Sequence, residues 1–126
     1  MSKFSRWLAV AFAMVLAVAE MARNKDGWQW WPFWTVDYLA VGLLLFGAFG
    51  WRRGEAPNPL LTGAWGFSCA MFWMSFFGHL DDARRGAAAG DGDMTLTSVI
   101  GLMFALTVIG FVTSLVGALR SPRRSA

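Results

Sequence analysis

The sequence predicts an all-α integral membrane protein, a four-helix bundle with both termini on the cytoplasmic side. Three observations predict it. Apolar residues make up 56% of the 126 residues and charged residues only 15%, where soluble domains usually carry about 25% charged residues. The apolar residues gather in four continuous runs. The charges divide unequally between the two sets of connections. The length allows one domain, so residues 1–126 are read as a single transmembrane unit. Eleven Phe and eight Trp are more than a soluble core of this size would hide, and lipid removes the resulting problem of large exposed apolar patches.

The helices are expected at about residues 5–22, 33–51, 60–80 and 95–119. A span needs about 20 residues to cross a hydrocarbon core of about 30 Å. The second to fourth runs meet that length. The first is short, and it spans if Arg6 snorkels inward and Glu20 sits at the far interface. It has a rival reading: Lys3 and Arg6, an apolar run and then Ala17-Val18-Ala19 resemble a signal peptide with a small-residue cleavage site. We take it as the first span. Pro32 suits the first turn of helix two. Pro57 and Pro59 close a short turn before helix three. Residues 86–93 read as a flexible glycine-rich linker, and Thr95 as the N-cap of helix four. No run shows the period-two alternation of a membrane barrel, and irregular backbone cannot face lipid.

Charge sets the orientation. The N-terminus, the 52–59 connection and the C-terminal tail together hold Lys3, Arg6, Arg52, Arg53, Arg120, Arg123 and Arg124 against Glu55 alone. The other side holds Arg23, Lys25, Arg84 and Arg85 against Glu20, Asp26, Asp37, Asp81, Asp82, Asp91 and Asp93. The positive-inside rule puts the first set in the cytoplasm. It makes the chain a multi-pass protein of the cell membrane, with the bacterial inner membrane as the expected location. The basic tail is expected to draw anionic headgroups, and no basic stretch with interleaved aromatics points to nucleic acid.

Most tryptophans fall near the expected boundaries: Trp7, Trp51 and Trp65 toward the inner face, Trp28, Trp30, Trp31 and Trp34 toward the outer one. Indole favours the headgroup zone. The dense segment 28–34 reads as an interfacial anchor, or as a contact for a lipid or partner with Gln29 near a polar head. Small residues form smooth stripes: Ala9, Ala13 and Ala17; Gly66 and Ala70; Gly101, Ala105, Gly110, Ser114 and Ala118. They serve packing within the bundle or, on helix four, contact with another subunit of a homo-oligomer or larger membrane complex.

Chemistry concentrates at the outer end. Glu20 closes helix one, Asp37 opens helix two, and His79, Asp81 and Asp82 close helix three, where Ser75, His79 and Asp82 share a face. Three readings follow. The groups mark solvated helix ends; or Glu20, Asp37 and His79 bind a cation or proton in a small transporter or channel; or His79 with Glu20, Asp37 and Asp82 holds a single divalent metal in a membrane enzyme. No G-x-S-x-G, H-E-x-x-H, P-loop or C-x-x-C motif is present, which turns the reading away from an enzyme. The lone Cys69 allows no intramolecular disulfide. The preferred function is a small polytopic membrane protein, an accessory or interaction subunit acting through helix packing and lipid or partner contact.

Overall fold

The computed structural model describes residues 2–23, 31–50, 58–84 and 92–120. Among them the chain forms four α-helices and no strand: α1 (Ser2–Arg23), α2 (Trp31–Phe49), α3 (Pro59–Arg84) and α4 (Gly92–Leu119). α1 packs on α2 and α4, and α3 packs on the same two, so the helices form a ring in chain order. Contacts at one end join the start of α1, the end of α2, the start of α3 and the end of α4. The helices therefore run alternately up and down.

Three of the four are long and apolar enough to cross a membrane: Lys3–Ala22, Pro59–Arg84 and Met94–Leu119. This reverses one expectation. α1 supplies a full 20-residue span, whereas the apolar part of α2 is only Trp34–Phe49. α2 stops after Phe49, and Gly50 closes its last turn by donating its N–H to the Phe46 carbonyl at 2.6 Å. Other boundaries differ as well, α1 starting at Ser2 and α2 at Trp31. α3 continues to Arg84, because the acids after Leu80 end the apolar run without breaking the helix, and Arg84 suits the negative C-terminal end. α4 begins at Gly92, so Thr95 lies inside it and is not its cap. Hydroxyl residues need not stop a helix, since they can bond back one turn, as Ser98 does to the Met94 carbonyl at 2.8 Å.

Asn58 is the cap that joins two helices. Its Oδ1 accepts the N–H of Leu61 at 3.0 Å, with Pro59 in the first turn. Its Nδ2 donates to the Gly47 carbonyl at 2.8 Å. Arg6 donates from Nε to the next carbonyl, Ala48, at 2.9 Å. The last carbonyls of α2 are thus satisfied from α1 and α3, as a helix end away from bulk water requires. The backbones approach closely here: a β-carbon on Gly47 would stand 2.9 Å from the Leu61 Cα.

The core is built on Trp65, which is fully buried. Its Nε1–H donates to Ser5 Oγ at 3.0 Å, and the Ser5 hydroxyl donates to the Gly110 carbonyl at 3.4 Å. Phe12 meets Trp65 and Phe72 edge-on, with centroids 5.6 and 5.5 Å away. Trp65 was expected as an inner-face anchor; instead it is the centre of the bundle, because its N–H finds an acceptor inside. Trp7 does face outward, at 71% exposure. Trp51 lies outside the described residues, as do Pro57 and most of the expected 86–93 linker.

The small residues divide by face. Ala9 and Ala13 are buried, and Gly66 lies under the ring of Phe111. On α4, Gly101 lies under Phe76, Gly110 under Trp65, and Ser114 is buried with its hydroxyl 2.7 Å from that of Thr62. These three positions serve packing inside the bundle; Ala70 and Ala105 face out. A β-carbon at Gly110 would run into the Trp65 ring, and that ring is fixed at its nitrogen. Gly110→Ala should therefore lower the melting temperature of the detergent-purified protein, at a cost of about 1–3 kcal/mol. Gly42→Ala, at an exposed helical position with nothing within 4 Å, should leave stability unchanged or raise it by up to about 1 kcal/mol. Equal effects from the two would contradict the seating of Trp65.

Candidate functional site

Each helix turns one line of residues inward. On α1 the buried line is Ser5, Ala9, Phe12, Ala13, Leu16 and Glu20; on α4 it is Thr97, Ile100, Met103, Thr107, Gly110 and Ser114. On α2 it runs through Ala40, Leu44 and Ala48, and on α3 through Leu61, Trp65, Ser68 and Phe72. Continuing these lines toward the outer end at helical spacing reaches Asp37, three residues before Ala40, and His79, seven after Phe72. All four inward lines thus end in a polar residue: Glu20, Asp37, His79 and Thr97.

Burial grades these positions. Glu20 is 5% exposed and Thr97 6%. Asp37, His79 and Ser75 are half-buried, and Asp81 and Asp82 are exposed. Glu20, Asp37, His79, Asp81 and Thr97 each have an interaction partner. Thr97 was not singled out in the sequence; its signal was its place three, six and ten residues before Ile100, Met103 and Thr107 on the same helical line.

Depth follows from the contacts at the inner end. Arg6 is level with Ala48, so counting outward puts Glu20 level with Trp34, and Asp37 about 4–5 Å deeper. Phe12 lies between Trp65 and Phe72, which puts Glu20 near the level of Phe76 and His79 about 4–5 Å further out. By residue count along the helix axes, Asp37, Glu20 and His79 therefore start from successive levels about 4–5 Å apart. Asp82 lies a turn beyond, on the part of α3 that outlasts α1.

Ionisable groups at successive levels on inward lines are of the kind that can take up a proton or small cation one after another. The single cage expected for a divalent metal is another matter. Among the described residues no group of three or more His, Cys, Asp and Glu side chains is placed to hold a metal ion, so Glu20, Asp37, His79 and Asp82 are not gathered into one ligand set.

The aromatic segment is partly described. Trp31 is 59% exposed and Trp34 37%, and Trp34 meets Tyr38 edge-on at 5.9 Å. Trp28, Gln29 and Trp30 lie outside the described residues. A second outward aromatic group escaped the sequence reading. Trp73, Phe76, Phe77 and Phe104 pack with centroids 4.5–6.4 Å apart on the α3–α4 side. Their spacing along α3 resembles an ordinary apolar run, which is why it carried no signal.

Comparison with protein-family models, curated proteins and solved structures finds no match. The graded burial of the acids can be measured directly. A water-soluble carbodiimide with an amine nucleophile should label Asp82 readily and Glu20 far more slowly, by peptide mapping of the detergent-purified protein. Equal labelling rates would show that Glu20 does not close the buried line of α1.

Proposed function

We propose that this chain is a multi-pass protein of the bacterial inner membrane, with both termini cytoplasmic, acting as an accessory or interaction subunit through helix packing and contact with lipid or partner helices. One observation carries the membrane reading. Large apolar side chains face outward on every helix, among them Val18 at 61% exposure, Phe46 at 60%, Met74 at 75% and Leu102 at 63%. Helices apolar on both their packed and open sides suit hydrocarbon and would aggregate in water. α2 is the shortest helix at 19 residues, about 28 Å, and spans with slight local thinning of the bilayer. The orientation rests on the charge split across the connections.

The accessory reading draws support from how the bundle uses its polar atoms. The hydroxyls of its central half are bonded within the fold: Ser68 to the Ala64 carbonyl at 3.0 Å and Thr107 to the Phe104 carbonyl at 2.6 Å. A second reading, a cation or proton site at Glu20, Asp37 and His79, is favoured by one specific observation, the burial of Glu20 on the inward line.

The expressed chain should stay in the membrane pellet after an alkaline carbonate wash. Tags at either end should be reached by protease only after the cells are opened, and a tag inserted between residues 88 and 89 should be cut in spheroplasts. Release into the supernatant, or a C-terminal tag cut from outside, would overturn the proposal. The second reading is checked in proteoliposomes: it expects a proton or monovalent-cation flux that Asp37→Asn and Glu20→Gln abolish, and empty-vesicle rates from the wild type would remove it.

A further inference from the structure

The inner end of the bundle carries Lys3, Arg6 and Arg120, and no acid among the described residues. Arg6 is no loose surface cation. It is half-buried at the seam between α1 and α2, and its Nε–H bond to the Ala48 carbonyl fixes the guanidinium beside the last turn of α2. Lys3 is exposed one turn earlier on α1. Positions three apart on a helix are surface neighbours, about 5–6 Å between β-carbons. The two helices that meet here expose large aromatic side chains: Phe4 at 57% and Trp7 at 71% on α1, Phe46 at 60% and Phe49 at 63% on α2.

A guanidinium has five donors in a rigid fork that matches phosphate, and one of them is used on Ala48. An ammonium adds a second positive charge a turn closer to the water. Trp7, next to Arg6 in the chain, and Phe46, two residues before Ala48, are exposed apolar side chains that suit acyl chains. We infer that the inner end of the α1–α2 seam is a binding site for an anionic phospholipid, with its phosphate on Arg6 and Lys3 and its acyl chains along Trp7 and Phe46. The inference rests on the membrane reading above and names the lipid class. The headgroup is net negative because two cations face it.

The test uses the full chain purified in detergent and native mass spectrometry. The probes are phosphatidylglycerol and phosphatidylcholine with the same acyl chains. Wild type should retain phosphatidylglycerol with a preference on the order of tenfold or more. Lys3→Gln should reduce that preference about fivefold with an unchanged melting temperature. Arg6→Gln should abolish it and also lower the melting temperature, since it uncaps Ala48. Arg6→Lys, which keeps the charge and loses the fork, should fall between. Arg84→Gln, at the outer end of α3, should leave the preference intact. Equal retention of the two lipids, full preference in Lys3→Gln, an equal loss in Arg84→Gln, or displacement of the lipid by excess inorganic phosphate would each overturn the inference. A chain that resists carbonate extraction yet shows no preference defeats this inference alone, whereas a chain that washes out defeats the membrane reading.

Discussion

The bundle depends on the seating of one indole. Trp65 lies against α4 where only a glycine leaves room, and its nitrogen is held by a hydroxyl of α1. One side chain of α3 thereby sets the distance to α4 and the rotation of α1 together. Phe12 then reaches across the diagonal to Trp65 and Phe72. In lipid, burying an apolar side chain against another helix gains little over leaving it against acyl chains. On the membrane reading, helix association must come from close backbone approach and from polar bonds with no competing solvent. The Ser5–Trp65–Gly110 contact supplies both at one point, where three helices meet.

The rest of that end completes the same logic. The three carbonyls of α2 at Phe46, Gly47 and Ala48 accept from Gly50, Asn58 and Arg6. Thr62 and Ser114 share a hydrogen bond between α3 and α4. Each bond answers a backbone or hydroxyl group whose burial would otherwise be costly, at about 1–3 kcal/mol per unmet buried group. The inner half is consequently over-determined. Every helix is tied there to at least one other by a polar bond, and the outer half of the bundle adds ring contacts such as Phe76 over Gly101 to the interactions of Glu20, Asp37, His79 and Thr97.

The four helices were legible because their apolar runs are long. The faces were not, because side chains that meet protein and side chains that meet the outside are equally apolar. Val18 and Leu16 read alike in sequence, yet one is exposed and the other buried. For the same reason Gly110 was as good a candidate for a subunit contact as for the bundle interior, and Trp65 as good an anchor as Trp7. What separates them is tertiary: an acceptor within reach of the indole nitrogen, from a serine 60 positions away. The joint cap by Asn58 was partly legible, since Asn followed by Pro before an apolar run is a helix-start signal. Its second bond, to Gly47, needed the hairpin to form first. At the outer end the sequence placed Glu20, Asp37 and His79 at one end of the bundle. It could not grade their depth, because that depends on how far each helix slides against its neighbours.

The contrast between the ends bears on function. At the inner end Ser5, Asn58, Thr62 and Ser114 have backbone or hydroxyl partners that hold helices together, so their role is structural. At the outer end the inward lines finish in Glu20, Asp37, His79 and Thr97. Packing does not ask for this. The line of α1 already uses alanine twice, at Ala9 and Ala13, and a third alanine at position 20 would close it without placing a carboxylate at 5% exposure. A buried ionisable group costs stability unless neighbours satisfy it, and those neighbours must themselves be retained. Glu20 therefore constrains the helices around it as well as its own. On the accessory reading that constraint fixes the register of α1 at its outer end, doing there what Ser5 does at the inner one. On the ion-site reading the same carboxylate is a step between Asp37 and His79. The two readings part on the charge itself: a register pin works equally well as the neutral, isosteric glutamine, and a cation step does not.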